Sequence, residues 1–154
     1  MQTPTHPGRT AADIVLRLLT AAALVVDAVV HLRLASDYQL AAPGGIGQGN
    51  LFRVEAVVAI LVALYVLIRG SRPSYTIAFL VGASAFAAVV VYRYVDVPAF
   101  GPIPSMYEPI WFFQKSLSAV AEGAGAVLAA IGIVWRPRRR VPAPTATGAH
   151  LRGA

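Results

Sequence analysis

Asp27 and His31 stand four residues apart inside Leu16–Leu34, a run that is otherwise apolar except for Arg17, Thr20 and Arg33. In a helix that spacing puts both side chains on one face. Further along, Lys115, Ser118 and Glu122 fall at i, i+3 and i+7 and share a face of their own. Glu55 and Arg93 lie in two other apolar runs. Side chains of these types have three uses. Carboxylates and an imidazole can pass a proton. His31 with Asp27, Glu55 and Glu122 would offer one nitrogen and three carboxylates, a set acceptable to Zn, Mn or Fe. A mixed acid–base pocket can also seat the polar end of an amphipathic molecule such as a quinone or a lipid.

The metal use meets two objections. One His and no Cys make a thin ligand set, and Arg33, Arg53, Arg93 and Lys115 would repel a cation from the same region. The residues therefore assign no metal. Haem with two axial His is excluded within one chain, because His6 and His150 lie in the terminal segments. No nucleophile motif, phosphate loop or dinucleotide fingerprint is present, so no catalytic residue is assigned. Gly44-Gly45-Ile46-Gly47-Gln48-Gly49 has the look of a phosphate loop but lacks the preceding strand.

The expected site is a pocket with Glu122 and Asp27 as its floor and His31, Glu55, Arg93 and Lys115 as its walls. The same residues also admit a plain structural use. The acids and bases nearly balance, so deep ones can pair and fix helix register while shallow ones reach for the interface.

What must position these groups is membrane helix. Of 154 residues, 57% are hydrophobic and only 13% charged, against about 25% charged in a soluble domain. The chain is too short for several domains. With no Cys, disulfides and redox thiols are excluded. The net charge of +6 would suggest nucleic acid in a soluble protein. Here the basic residues flank apolar runs, so anionic lipid headgroups are the expected partner and nucleic acid is not.

The expected architecture is all-α: four transmembrane helices in an antiparallel bundle, at about 12–34, 51–68, 75–95 and 109–135. A helix crossing the hydrocarbon layer takes about 20 residues. Residues 1–11 and 136–154 are expected to be disordered cytoplasmic tails, the second one basic. The first apolar run is read as a retained helix and not a signal peptide, because Asp27 interrupts it and no small-x-small cleavage site follows. Residues 35–50, with Pro43 and four Gly, are read as an external loop. Residues 69–74 make a tight turn. The Pro-rich stretch 96–108 is too apolar for a solvated linker and is expected to lie over the outer helix ends as a lid.

Nine of the thirteen basic residues flank the termini and the 69–74 turn. The positive-inside rule then puts both termini in the cytoplasm. Asp27 and Glu122 become the deepest charges, near mid-membrane, in the outer half of the bundle. An ionisable side chain at that depth costs a few kcal/mol or more and calls for a partner or a purpose. Gly82-Ala-Ser-Ala on the third helix, and Gly123, Gly125, Ala129 and Gly132 on the fourth, are faces for close helix approach.

The plan of a polar first helix and a Glu-bearing fourth resembles small DoxX-like membrane proteins. His31-Leu32-x-Leu34, Tyr38 and the Gly49-x-Leu51-Phe52 start of the second helix look like uncharacterised four-helix integral membrane proteins of actinobacteria. The DoxX resemblance implies an accessory role beside a quinone- or thiol-linked oxidoreductase. The second resemblance implies no activity.

The function expected from these residues is a non-catalytic integral membrane subunit or accessory protein of a bacterial plasma membrane. It would hold a membrane-protein partner, or further copies of itself, through its small-residue faces, and bind a quinone or lipid in the pocket. The alternatives are a small proton-coupled transporter using the buried acids, and a membrane enzyme acting on a lipid or quinone.

Overall fold

The computed structural model describes residues 7–136. Of the tails expected at 1–11 and 136–154, residues 1–6 and 137–154 lie outside them. Four helices follow in order: α1 (Pro7–Ala41), α2 (Gln48–Arg69), α3 (Arg72–Tyr94) and α4 (Phe113–Trp135). Each holds a span long and apolar enough to cross a membrane. There is no strand among the described residues, only an isolated bridge between Phe100 and Ile103.

Several boundaries differ from the sequence expectation. α1 runs 35 residues, starting at Pro7 inside the expected tail and ending seven residues past Leu34. Its extension, Ala35-Ser-Asp-Tyr-Gln-Leu-Ala41, is polar but contains no Gly or Pro, so nothing breaks the helix before Pro43. α2 begins at Gln48, inside the expected loop. α4 begins at Phe113 and not at Pro109, because residues 108–112 are held extended. The Glu108 amide donates to the Tyr92 carbonyl over 3.0 Å, and the Lys115 ammonium donates to the Glu108 carbonyl.

α1 packs against α2 and α4, α3 packs against α4, and α2 touches α3 much less. The ring of helices is therefore closed on three sides and loose on the fourth. Its interior is built of small side chains: Ala28, Ala56, Ala59, Ala78 and Ala129 are fully buried. The large apolar side chains point outward, among them Leu61, Ile68, Leu80, Val120 and Val134. Helices can approach closely only where side chains are small. Gly49 is the clearest case, since a Cβ there would clash with the Ala35 carbonyl oxygen of α1, and a Cβ at Gly82 would meet the Glu122 carbonyl oxygen of α4 at 3.0 Å.

The end of the bundle that carries the 42–47 and 95–112 connections is called distal here. The two connections are tied by the Ile46 amide, which donates to the Pro102 carbonyl over 2.9 Å. At the opposite end, Gly70 and Ser71 join α2 to α3. Gly70 caps α2 in the left-handed region, φ 46°, where a side chain would be strained. Ser71 caps α3 in a capping box with Ser74. Ser71→Ala should lower stability by about 1 kcal/mol, the usual cost of losing such a cap. Thermal unfolding in mild detergent reads this, and Ser71→Asp should restore it. The same end holds Asp13, which pairs with Arg17 at 2.7 Å and with Arg136.

Candidate functional site

Helix spacing and helix packing together assemble the polar centre. Asp27 lies near the middle of α1 and His31 one turn further toward the distal end. The i, i+4 pair closes on itself: His31 Nδ1 lies 2.9 Å from Asp27 Oδ1 and 3.1 Å from the Asp27 carbonyl oxygen. Across the bundle, Ser118 and Glu122 on α4 meet this pair. Ser118 Oγ lies 2.8 Å from Asp27 Oδ1 and 2.9 Å from Glu122 Oε1. Both carboxyl side chains are buried, each residue only 2% exposed.

A hydroxyl has one proton to give. Ser118 can therefore satisfy one of the two carboxylates by donation. The other contact needs a proton on a carboxyl group, or a cation shared by the group. Glu122 Oε2 is buried with no hydrogen-bond partner among the described residues.

No Lys or Arg among the described residues pairs with Asp27, Glu55 or Glu122. The cations are engaged elsewhere. Arg53 donates to Asn50 Oδ1. Arg93 stacks on the Tyr94 ring at 4.9 Å and lies 6.0 Å from the Trp111 centroid. Lys115 donates to the Glu108 carbonyl and lies 5.6 Å from the Trp111 ring centre. Arg33 is exposed. The register-locking ion pairs that the charge balance allows do not form around the deep acids, whose one basic neighbour is His31.

Distal to this centre lies a cavity of about 400 Å³. All four helices contribute to its wall. Glu122, Ser118 and His31 border it on one side, Glu55 on another, and Lys115 with Glu108 toward the distal mouth. The remaining wall is apolar, with Leu34, Leu51, Phe52, Ala85 and Val89. Ile103 and Met106 of the 95–112 connection cover it. Phe52 is fixed by edge contact with His31, centroids 4.9 Å apart, and by Tyr38 at 5.0 Å.

Of the six residues singled out from sequence, His31, Glu55, Lys115 and Glu122 line the cavity. Asp27 sits behind Ser118 and His31 and does not line it. Arg93 is held at the aromatic rim instead. Two contributors were not expected. Ser118 was placed on the right face by its spacing, but its bridging position depends on a partner 91 residues away. Asp13, the anion between two arginines at the far end, has a local signal in its i, i+4 spacing to Arg17, while its pairing with Arg136 depends on the fold.

The small-residue faces are used within the chain. Gly82 meets the backbone of α4, Gly132 lies under the Tyr75 ring, and Gly125 faces Ala23. No family model matches the chain, and no characterised protein or solved structure is detectably similar to it.

Proposed function

We propose that this chain is a four-span protein of a bacterial plasma membrane, with both termini cytoplasmic, whose distal cavity binds an amphipathic lipophile such as a quinone or a lipid. It acts as an accessory subunit, without turnover of its own. The observation that carries this reading is the cavity itself: about 400 Å³, apolar along most of its wall, with acid and imidazole groups gathered on one side. Pockets of this size and polarity hold small apolar molecules oriented by a few polar contacts. Large apolar side chains on the outside of every helix, over an interior rich in alanine, support the membrane setting. The basic residues at the terminal end support the orientation.

The test is to purify the full chain into lipid nanodiscs, extract bound lipophiles with organic solvent, and identify them by mass spectrometry. One quinone or lipid species should be enriched to near one per chain over empty discs. Ala85→Phe fills the cavity from α3 and should cut that occupancy at least tenfold while leaving helix content unchanged. Equal enrichment in the filled variant, or none in either, would overturn the proposal. Proton-gradient-driven flux by the protein alone would replace it with a small carrier, and turnover by the isolated protein with an enzyme.

A further inference from the structure

We infer that Asp27, His31 and Glu122 together hold one divalent transition-metal ion at the inner wall of the cavity. The three residues offer one ligand atom each, all within 4.8 Å of one another. Two carboxylate oxygens and an imidazole nitrogen suit Zn²⁺, Mn²⁺ or Fe²⁺, while Mg²⁺ and Ca²⁺ prefer oxygen alone.

Glu122 is 2% exposed, borders the cavity, and presents Oε2 with no hydrogen-bond donor among the described residues. A carboxylate oxygen at that depth has lost its water and gained no donor in exchange. Glu55 Oε1 on α2 is likewise buried and unpartnered, and borders the same cavity. The repulsion expected from nearby cations is weakened, because Arg53, Arg93 and Lys115 are all engaged away from the acids and Arg33 is exposed. Three carboxyl groups thus face one imidazole and no other base. Ser118 has the place of an outer-shell partner, touching both Asp27 and Glu122 and fixing their orientation. A cation satisfies both carboxylates and leaves the single Ser118 proton where it is.

The inference does not depend on a lipophile in the cavity, and its test is independent of that one. The full chain is purified without a polyhistidine tag, stripped with chelator, and exposed to Zn²⁺, Mn²⁺ or Fe²⁺. Bound metal is counted by mass spectrometry after gel filtration. One metal per chain is expected for at least one of these ions. Glu122→Gln and His31→Gln should each lower the affinity at least tenfold. Ser118→Ala should lower it about 10–100-fold, as loss of an outer-shell partner does. His6→Gln/His150→Gln should leave it unchanged. Co²⁺ loaded into the wild-type chain should give visible d–d absorption, a readout that needs no variant to fold. The inference fails if the wild-type chain binds no metal. It also fails if Glu122→Gln and His31→Gln bind as tightly as wild type, or if binding disappears with His6 and His150. In each of those cases protons neutralise the cluster.

Discussion

Asp27→Ala should destabilise the protein by about 3 kcal/mol, while the triple change Asp27→Val, His31→Leu, Glu122→Met should restore or exceed wild-type stability. The single change removes the carboxylate that both His31 Nδ1 and Ser118 Oγ touch, leaving His31 only the backbone carbonyl of residue 27 and Ser118 only Glu122. Breaking a buried charged pair by removing one partner costs about 3–5 kcal/mol. The triple change removes the ionisable groups together. Apolar side chains of similar volume then pack where charges had to be desolvated, and such replacements are neutral or stabilising by about 1–4 kcal/mol. Detergent-titrated unfolding followed by circular dichroism measures both. A triple variant as unstable as Asp27→Ala would mean that the cluster exists to hold the bundle together. A stable triple variant without metal or lipophile binding would mean that the groups are kept for what they bind.

The second large effect concerns the crossing of α3 and α4. Gly82→Leu should cost about 1–3 kcal/mol, the range for overpacking a filled interior. A Cβ at Gly82 would lie 3.0 Å from the Glu122 carbonyl oxygen and 3.3 Å from the Ala126 nitrogen, both of them backbone atoms that cannot rotate away. α4 must shift as a body, and the residue pushed first is Glu122. Gly82→Leu should therefore lower ligand or metal occupancy as well as stability. Ser84→Leu, two residues on and exposed, should do neither. The paired measurements are unfolding in detergent and occupancy in nanodiscs. Normal occupancy in Gly82→Leu would show that Glu122 does not depend on this contact.

The four helices were legible because each is one long, predominantly apolar run. The ends were less legible. α1 continues past Leu34 because polar residues with adequate helix propensity carry it to the first Pro, so polarity is a poor stop signal. Pro109 looked like a helix start, yet a hydrogen bond from the Glu108 amide to Tyr92, far back in the chain, holds that stretch extended. Within the site, depth could be read from position along each run, which placed Asp27, His31, Glu55, Lys115 and Glu122 in one layer. Partnership could not. Arg93 and Lys115 share that layer but turn to Trp111, a choice set by how α3, α4 and the distal connection meet. Local spacing gives the Ser118–Glu122 pair; only the α1–α4 contact brings in Asp27.

The way α2 and α3 are joined has a mechanical consequence. Two residues, Gly70 and Ser71, fasten the pair at one tip, and both helices line the cavity toward the other. This is the loosest side of the ring. On the membrane reading, a guest that parts α2 from α3 arrives sideways from the hydrocarbon. Its rate of entry then scales with its mole fraction in the bilayer, and stiffening the tip at Gly70–Ser71 would narrow the doorway without touching the groups that receive it.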